Sequence, residues 1–226
     1  MRRALHTEWT KLRTVAGPLW LLLGVIATTV AIGAGAASLM ACESASGGGD
    51  LTKVSRLGVE VGQALVAILA VLVISGEYGS GMIRTSLIAV PRRLTVFASK
   101  AGILIAVVAA AGTIAVLGSL LVGRLILPGD PELTERRATA GLVLYLMLIA
   151  LLSLGIAVIV REAATSIGAI LGLLSLPPIL GQTIANPHWQ QLLQQLAPTT
   201  ATLGATAGWS AAAITAGGLL LRTRDV

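Results

Sequence analysis

The chain has 226 residues, 55% of them hydrophobic and 12% charged, with a formal net charge of +6 and a mean hydropathy of +0.89. A water-soluble domain carries about 25% charged residues, so the deficit excludes a fully solvated surface and points to an all-α integral membrane protein. The basic residues flank apolar runs, as membrane topology requires, so the positive charge makes no case for nucleic acid as a partner.

In chain order, the first element is an N-terminal helix over residues 1–14. Leu5, Trp9 and Leu12 fall at i, i+4 and i+7 on one stripe, while Arg2, Arg3, His6, Lys11 and Arg13 lie on other faces. A basic amphipathic helix with one tryptophan suits the headgroup layer, lying in the membrane plane. Apolar runs of about 20 residues, the length needed to cross a bilayer core, then predict six spans. They are Pro18 to Met40, Leu57 to Ser75, Ala101 to Leu127, Thr139 to Val160, Thr165 to Ala185 and Thr199 to Leu221. The first run is longer than the apolar core of a removable signal, and Leu39-Met40-Ala41-Cys42 is a poor cleavage box.

Between the second and third spans, residues 76–100 form a polar, basic interruption, GEYGSGMIRTSLIAVPRRLTVFASK. Gly76, Gly79 and Gly81 permit a sharp turn just past the second span. Ile83, Leu87 and Val90 then repeat at helical spacing, and Pro91 ends that short helix and starts another. Arg92 and Arg93 would sit at a helix N-terminus, where the dipole disfavours cations. Anionic headgroups or an acidic partner surface would offset that cost.

The fourth and fifth spans are separated only by Arg161, Glu162, Ala163 and Ala164, which implies a tight hairpin. Pro177-Pro178 and Gly181 are expected to break or kink the fifth span. Residues 186–198, NPHWQQLLQQLAP, carry no formal charge and read as a short helix on the outer side, started by Pro187 and ended by Pro198. Gly58-x3-Gly62, Gly168-x3-Gly172 and Gly204-x3-Gly208 have the spacing that lets helices approach closely in lipid.

Orientation follows from charge. With a cytoplasmic N-terminus, eleven Lys and Arg residues lie inside and five outside: Lys53, Arg56, Arg124, Arg136 and Arg137. That excess places both termini and residues 76–100 in the cytoplasm.

The chemistry-bearing motifs are few. The chain has no GxxxxGK[ST] phosphate loop, no HExxH and no GxSxG, so neither an ATPase site nor another catalytic centre is expected. His6 and His188 stand apart without companion ligands, so no metal site is expected, and the lone Cys42 excludes an internal disulfide. Glu60, an ionisable residue within the second span, and Gln63 one turn on are the candidates for a substrate path, with Thr28, Thr29 and Gln182 as further polar residues.

The TEWTKLRT start and the EYGSGMIRTSLIAVPRR segment resemble the type-2 ABC exporter permeases of actinobacterial kind. The six-span layout and the outer segment extend that resemblance over nearly the whole chain. It implies that residues 1–14 are an interfacial elbow helix. It also implies that residues 76–100 are a coupling segment for a separate ABC ATP-binding subunit. Glu77, Tyr78, Gly79, Gly81, Arg84, Pro91, Arg92 and Arg93 match the family's cytoplasmic motif. By the same resemblance the chain works with a second permease subunit, as a homo- or heterodimer, in a bacterial cytoplasmic membrane. ATP and magnesium then belong to the partner, and this chain binds no cofactor. The competing readings are an ATP-independent channel or carrier, a membrane enzyme, and a non-transporting anchor for a soluble partner.

Overall fold

The computed structural model describes residues 16–43, 51–79, 93–126, 133–183, 198 and 203–223. These form six helices: α1 Ala16–Glu43, α2 Leu51–Gly79, α3 Arg93–Ile126, α4 Leu133–Val160, α5 Ala163–Thr183 and α6 Leu203–Thr223. Among the described residues there is no strand. Each of the six apolar runs is thus a helix. The amphipathic N-terminal segment with Leu5, Trp9 and Leu12 lies outside the described residues, as do residues 186–197.

Among the described residues, three helices are long and apolar enough to cross a membrane, over Phe97–Val122, Ala140–Val160 and Leu203–Leu220. Leu22–Gly35, Val61–Gly76 and Ala163–Pro177 are shorter apolar stretches. The outward faces are apolar too: Trp20 is 72% exposed, Ile114 57%, Leu121 64% and Leu219 61%. Helices that are apolar on every side belong in lipid or in the middle of a large protein. By length and composition these are the helices of a membrane protein.

The centre of the bundle is α2 and α4. The side chains of Val66, Leu69 and Val71 from α2 and of Leu146, Ile149, Leu152 and Leu154 from α4 are fully buried. α3 packs on both and α5 lies against both, while α1 rests on α2 and α3, and α6 mainly on α4. Close approaches fix the directions. Gly24 lies near Leu65, and Thr29 near Gly62, so α1 and α2 run antiparallel. Val30 lies near Gly118 and Gly33 near Ser119, so α1 and α3 run parallel. Leu203 lies near Gly141 and Ala213 near Gly155, so α4 and α6 run parallel.

Four local features depart from the sequence reading. First, α2 does not turn at Gly76: it continues through Gly76, Glu77 and Tyr78 to Gly79. A glycine costs a helix only about 1 kcal/mol, and leaving helical hydrogen bonds unmade beside an apolar bundle costs more. Second, the helix expected to begin at Pro91 is one with the third span: α3 runs unbroken from Arg93 to Ile126, and Phe97, Ser99 and Lys100 are buried in it. Third, α5 passes through Pro177 and Pro178 as helix and ends at Thr183. Proline deletes a donor but keeps a helical φ, and membrane helices tolerate it when neighbours cover the freed carbonyls.

Fourth, two of the three glycine pairs expected from spacing are not at tight helix contacts. A Cβ on Gly168, Gly204 or Gly208 would meet nothing within 4 Å, and one on Gly172 would meet only Leu176 of its own helix. Among the described glycines, the closest approach to another backbone joins α4 to α6 instead. There a Cβ on Gly155 would lie 2.7 Å from the carbonyl carbon of Ala213. Of the expected residues, only Gly62 is shown at a close interhelical contact, with the Thr29 hydroxyl 2.6 Å from its Cβ position.

The turn between α4 and α5 is as short as expected. Arg161 takes a left-handed conformation, φ 64°, and its N–H donates to the Ala157 carbonyl at 2.9 Å. Glu162 then opens α5: its carbonyl accepts from the Ser166 N–H at 3.2 Å, and its carboxylate accepts from the Thr165 hydroxyl at 2.9 Å.

Candidate functional site

Among the described residues Tyr145 is the largest fully buried side chain, 2% exposed, within an apolar stretch of α4. A phenol in such surroundings keeps its aromatic ring in the apolar core but needs a partner for its hydroxyl. It finds two. The hydroxyl donates to Oε1 of Gln63 on α2, and the buried carbonyl of Pro198, just before α6, lies 3.3 Å away. One side chain therefore ties together the two central helices and the approach to the last one.

The arrangement has an internal asymmetry. A phenol carries one proton and two lone pairs, and the Gln63 amide can present either its oxygen or its NH2 group. With Oε1 toward the phenol, Tyr145 donates to Gln63. With the NH2 toward it, Gln63 donates and Tyr145 donates on to Pro198. The orientation of one amide thus directs one proton toward α2 or toward the approach to α6.

The depth of this cluster also matters. Tyr145 lies five residues inside the apolar stretch that begins at Ala140, or about 8 Å along the helix at 1.5 Å per residue. Pro198, the last residue of the outer segment predicted from sequence, is buried at that level rather than lying at the surface.

Of the two residues proposed for a substrate path, Gln63 is half-buried and committed to Tyr145. Glu60 lies on α2 one turn before it. Thr28 donates to the Gly24 carbonyl at 2.6 Å within its own helix, and Thr29 is fully buried. Sequence reasoning does not single out Tyr145. The signal that would find it is a lone phenol inside GLVLYLMLIALL, where every other side chain is apolar or absent.

The residues of the motif expected to face the cytoplasm are divided. Glu77, Tyr78 and Gly79 form the last turn of α2, and Arg93 is the first residue of α3. Gly81, Arg84, Pro91 and Arg92 lie outside the described residues. On the flanking helix ends Ser75, Ser99 and Lys100 are all buried. The polar character of the 76–100 segment therefore continues inward onto packed helix. Among the described residues no group of His, Cys, Asp and Glu could hold a metal ion.

No protein-family model matches the chain, and no curated protein is significantly similar to it. Fold and site therefore define a class only: a helical bundle with an apolar exterior, a buried Gln–Tyr–carbonyl clasp and a basic connection between α2 and α3.

Proposed function

We propose that the chain is the membrane-spanning permease subunit of an ATP-driven ABC exporter. In this reading it works as a dimer with a separate ATP-binding subunit and moves its substrate outward by alternating access. The carrying observation is the EYGSGMIRTSLIAVPRR motif, which resembles that of type-2 exporter permeases. The helix ends support the reading. α2 extends through Glu77 and Tyr78, and α3 resumes at Arg93, so a push on the basic connection would reach rigid helices on both sides.

Six spans fit this proposal on length. The shortest helices, α5 and α6, have 21 residues each, about 31 Å at 1.5 Å per residue, which matches the roughly 30 Å hydrocarbon core. An even number of spans and the charge asymmetry support a topology with both termini and the basic connection on the cytoplasmic face of a bacterial plasma membrane. ATP and magnesium would be held by the partner.

The test is purification in mild detergent together with the ATP-binding subunit. Arg84→Glu and Arg92→Glu should each lower recovery of that subunit by tenfold or more, with normal amounts of permease in the membrane. Full co-purification and full coupled ATPase activity in both variants would refute the coupling role. Substrate movement without ATP or any partner would favour the channel or carrier reading.

A further inference from the structure

A backbone carbonyl in an α-helix is served by the N–H four residues on. In α5 the carbonyls of Gly172, Leu173, Leu174 and Ser175 look to residues 176–179, of which Pro177 and Pro178 have no N–H. Tightening or widening the turn does not repair the loss. A 3₁₀ or π bond to the Leu173 carbonyl can come only from Leu176, and one to the Leu174 carbonyl only from Ile179. In the regular ladder those two N–H groups belong to Gly172 and Ser175. Four acceptors therefore share two donors, and two carbonyls are left over. Among the described residues no side chain donates to Leu173 or Leu174. Unpaired polar groups inside a bundle are costly and require a physical explanation.

The position of the pair supplies one. Leu173 is the central residue of the 21-residue α5, about 15 Å from either end at 1.5 Å per residue. Across the tight hairpin it stands level with Ala150 of α4, since the two lie equally far from Ala163 and Val160. That is about 8 Å nearer the hairpin than Tyr145. Ser166, Ile170 and Leu174, one turn apart, are buried and mark the face of α5 that packs on α2 and α4. The Leu174 carbonyl lies on that stripe and the Leu173 carbonyl borders it. Leu173 and Pro177 are only half-buried, and Ser175, Leu176 and Ile179 are exposed. The two acceptors thus face the bundle beside an open edge. No residue from Ala163 to Thr183 is charged, so the negative ends of these peptide dipoles set the local field.

We infer that the Leu173 and Leu174 carbonyls are a binding site for an amphiphilic organic ammonium ion that carries N–H donors. The ammonium group donates to the two oxygens, and the alkyl chain lies along the open edge on Leu176 and Ile179, each 55% exposed. A primary ammonium brings three donors and one positive charge, which suits two acceptors with no cation on their helix. A phosphate or carboxylate offers no donor and meets the same negative dipole ends. A hard metal ion takes about six or more oxygens, far more than this pair supplies. Interrupted membrane helices use freed carbonyls for cations in the same manner. As a substrate class this rests on the transport reading; as a binding site it needs only the tandem prolines and the packing of α5.

Equilibrium binding to the full-length protein in phosphatidylcholine nanodiscs tests it, with radiolabelled dodecylamine as the probe and empty nanodiscs as the blank. The wild type should bind the probe saturably. Dodecyltrimethylammonium, with the same chain and charge but no N–H, should compete at least tenfold more weakly than unlabelled dodecylamine. Pro177→Ala with Pro178→Ala returns two N–H groups to the ladder. It should weaken binding at least tenfold while the melting temperature stays equal or rises. No saturable binding, equal competition by the two amines, or wild-type affinity in the double variant would each overturn the inference. A fall in melting temperature would do so too, because it would show carbonyls that had no need of donors. Neither ATP nor a partner enters the measurement, so its outcome is independent of whether the chain couples to an ATP-binding subunit.

Discussion

Tyr145→Phe is the most informative single change at the clasp. The substitution removes one oxygen and leaves the buried ring in place, so no cavity of consequence forms. What is lost is the bond to Gln63 and the donor near the Pro198 carbonyl. A hydrogen bond contributes about 0.5–1.5 kcal/mol net, and a buried polar atom left unpaired costs about 1–3 kcal/mol. Gln63 is half-buried, whereas the Pro198 residue is buried, so the Pro198 carbonyl carries most of the cost. The expected loss is therefore about 2 kcal/mol, close to a thirtyfold change in the folding equilibrium at 1.4 kcal/mol per factor of ten. The assay is SDS-induced unfolding of the detergent-purified protein followed by far-UV circular dichroism, with Gln63→Leu and the double variant completing a cycle. Residues in one hydrogen-bond network couple by about 0.5–3 kcal/mol, so the double variant should lose less than the sum of the singles. A Tyr145→Phe variant within about 0.5 kcal/mol of the wild type, a change typical of surface positions, would refute the view that this hydroxyl ties the bundle together.

Gly155→Ala should destabilise the protein by about 1–3 kcal/mol, the usual cost of overpacking, because its Cβ would meet the Ala213 backbone at 2.7 Å. Gly208→Ala, with open space around it, should be neutral or stabilising by up to about 1 kcal/mol from helix propensity; thermal unfolding of both in the same detergent checks the contrast. Ile114→Lys changes a 57% exposed side chain about 7 Å from the midpoint of the Phe97–Val122 stretch of α3. In a bilayer this should oppose insertion by about 3 kcal/mol, read as reduced membrane-integrated protein, whereas a water-facing site would tolerate it. Tyr78→Cys in a Cys42→Ser background should resist an impermeant maleimide applied to intact cells and react once they are opened; labelling from outside would reverse the proposed topology.

The positions of the helices were legible in the sequence because each apolar run exceeds the length of a packed turn and is bounded by charge or glycine. Their ends were less so. Gly76 and Gly79 look like breakers in isolation, but helical hydrogen bonding against a packed bundle carries α2 through them. Pro177-Pro178 likewise reads as a break or kink, yet α5 stays helical through both prolines. The glycine pairs mislead for a related reason: spacing places two glycines on one face of a helix but does not say whether another helix lies there.

Composition and periodicity by themselves settled an all-helical chain with a lipid-like exterior, since apolar length and the scarcity of charge are local properties of the residues. Charge asymmetry and the basic 76–100 segment carried the expectation of a cytoplasmic coupling face from the same local information. Only the packed bundle decided that α2 and α4 form the centre, that Gly155 rather than Gly204 or Gly208 brings helices into backbone contact, and that Tyr145, Gln63 and Pro198 converge. Along the chain Gln63 and Pro198 stand 82 and 53 residues from Tyr145. Which hydroxyl meets which acceptor depends on helix register and rotation, and these are set by the joint fit of side chains from several helices rather than by any one stretch of sequence.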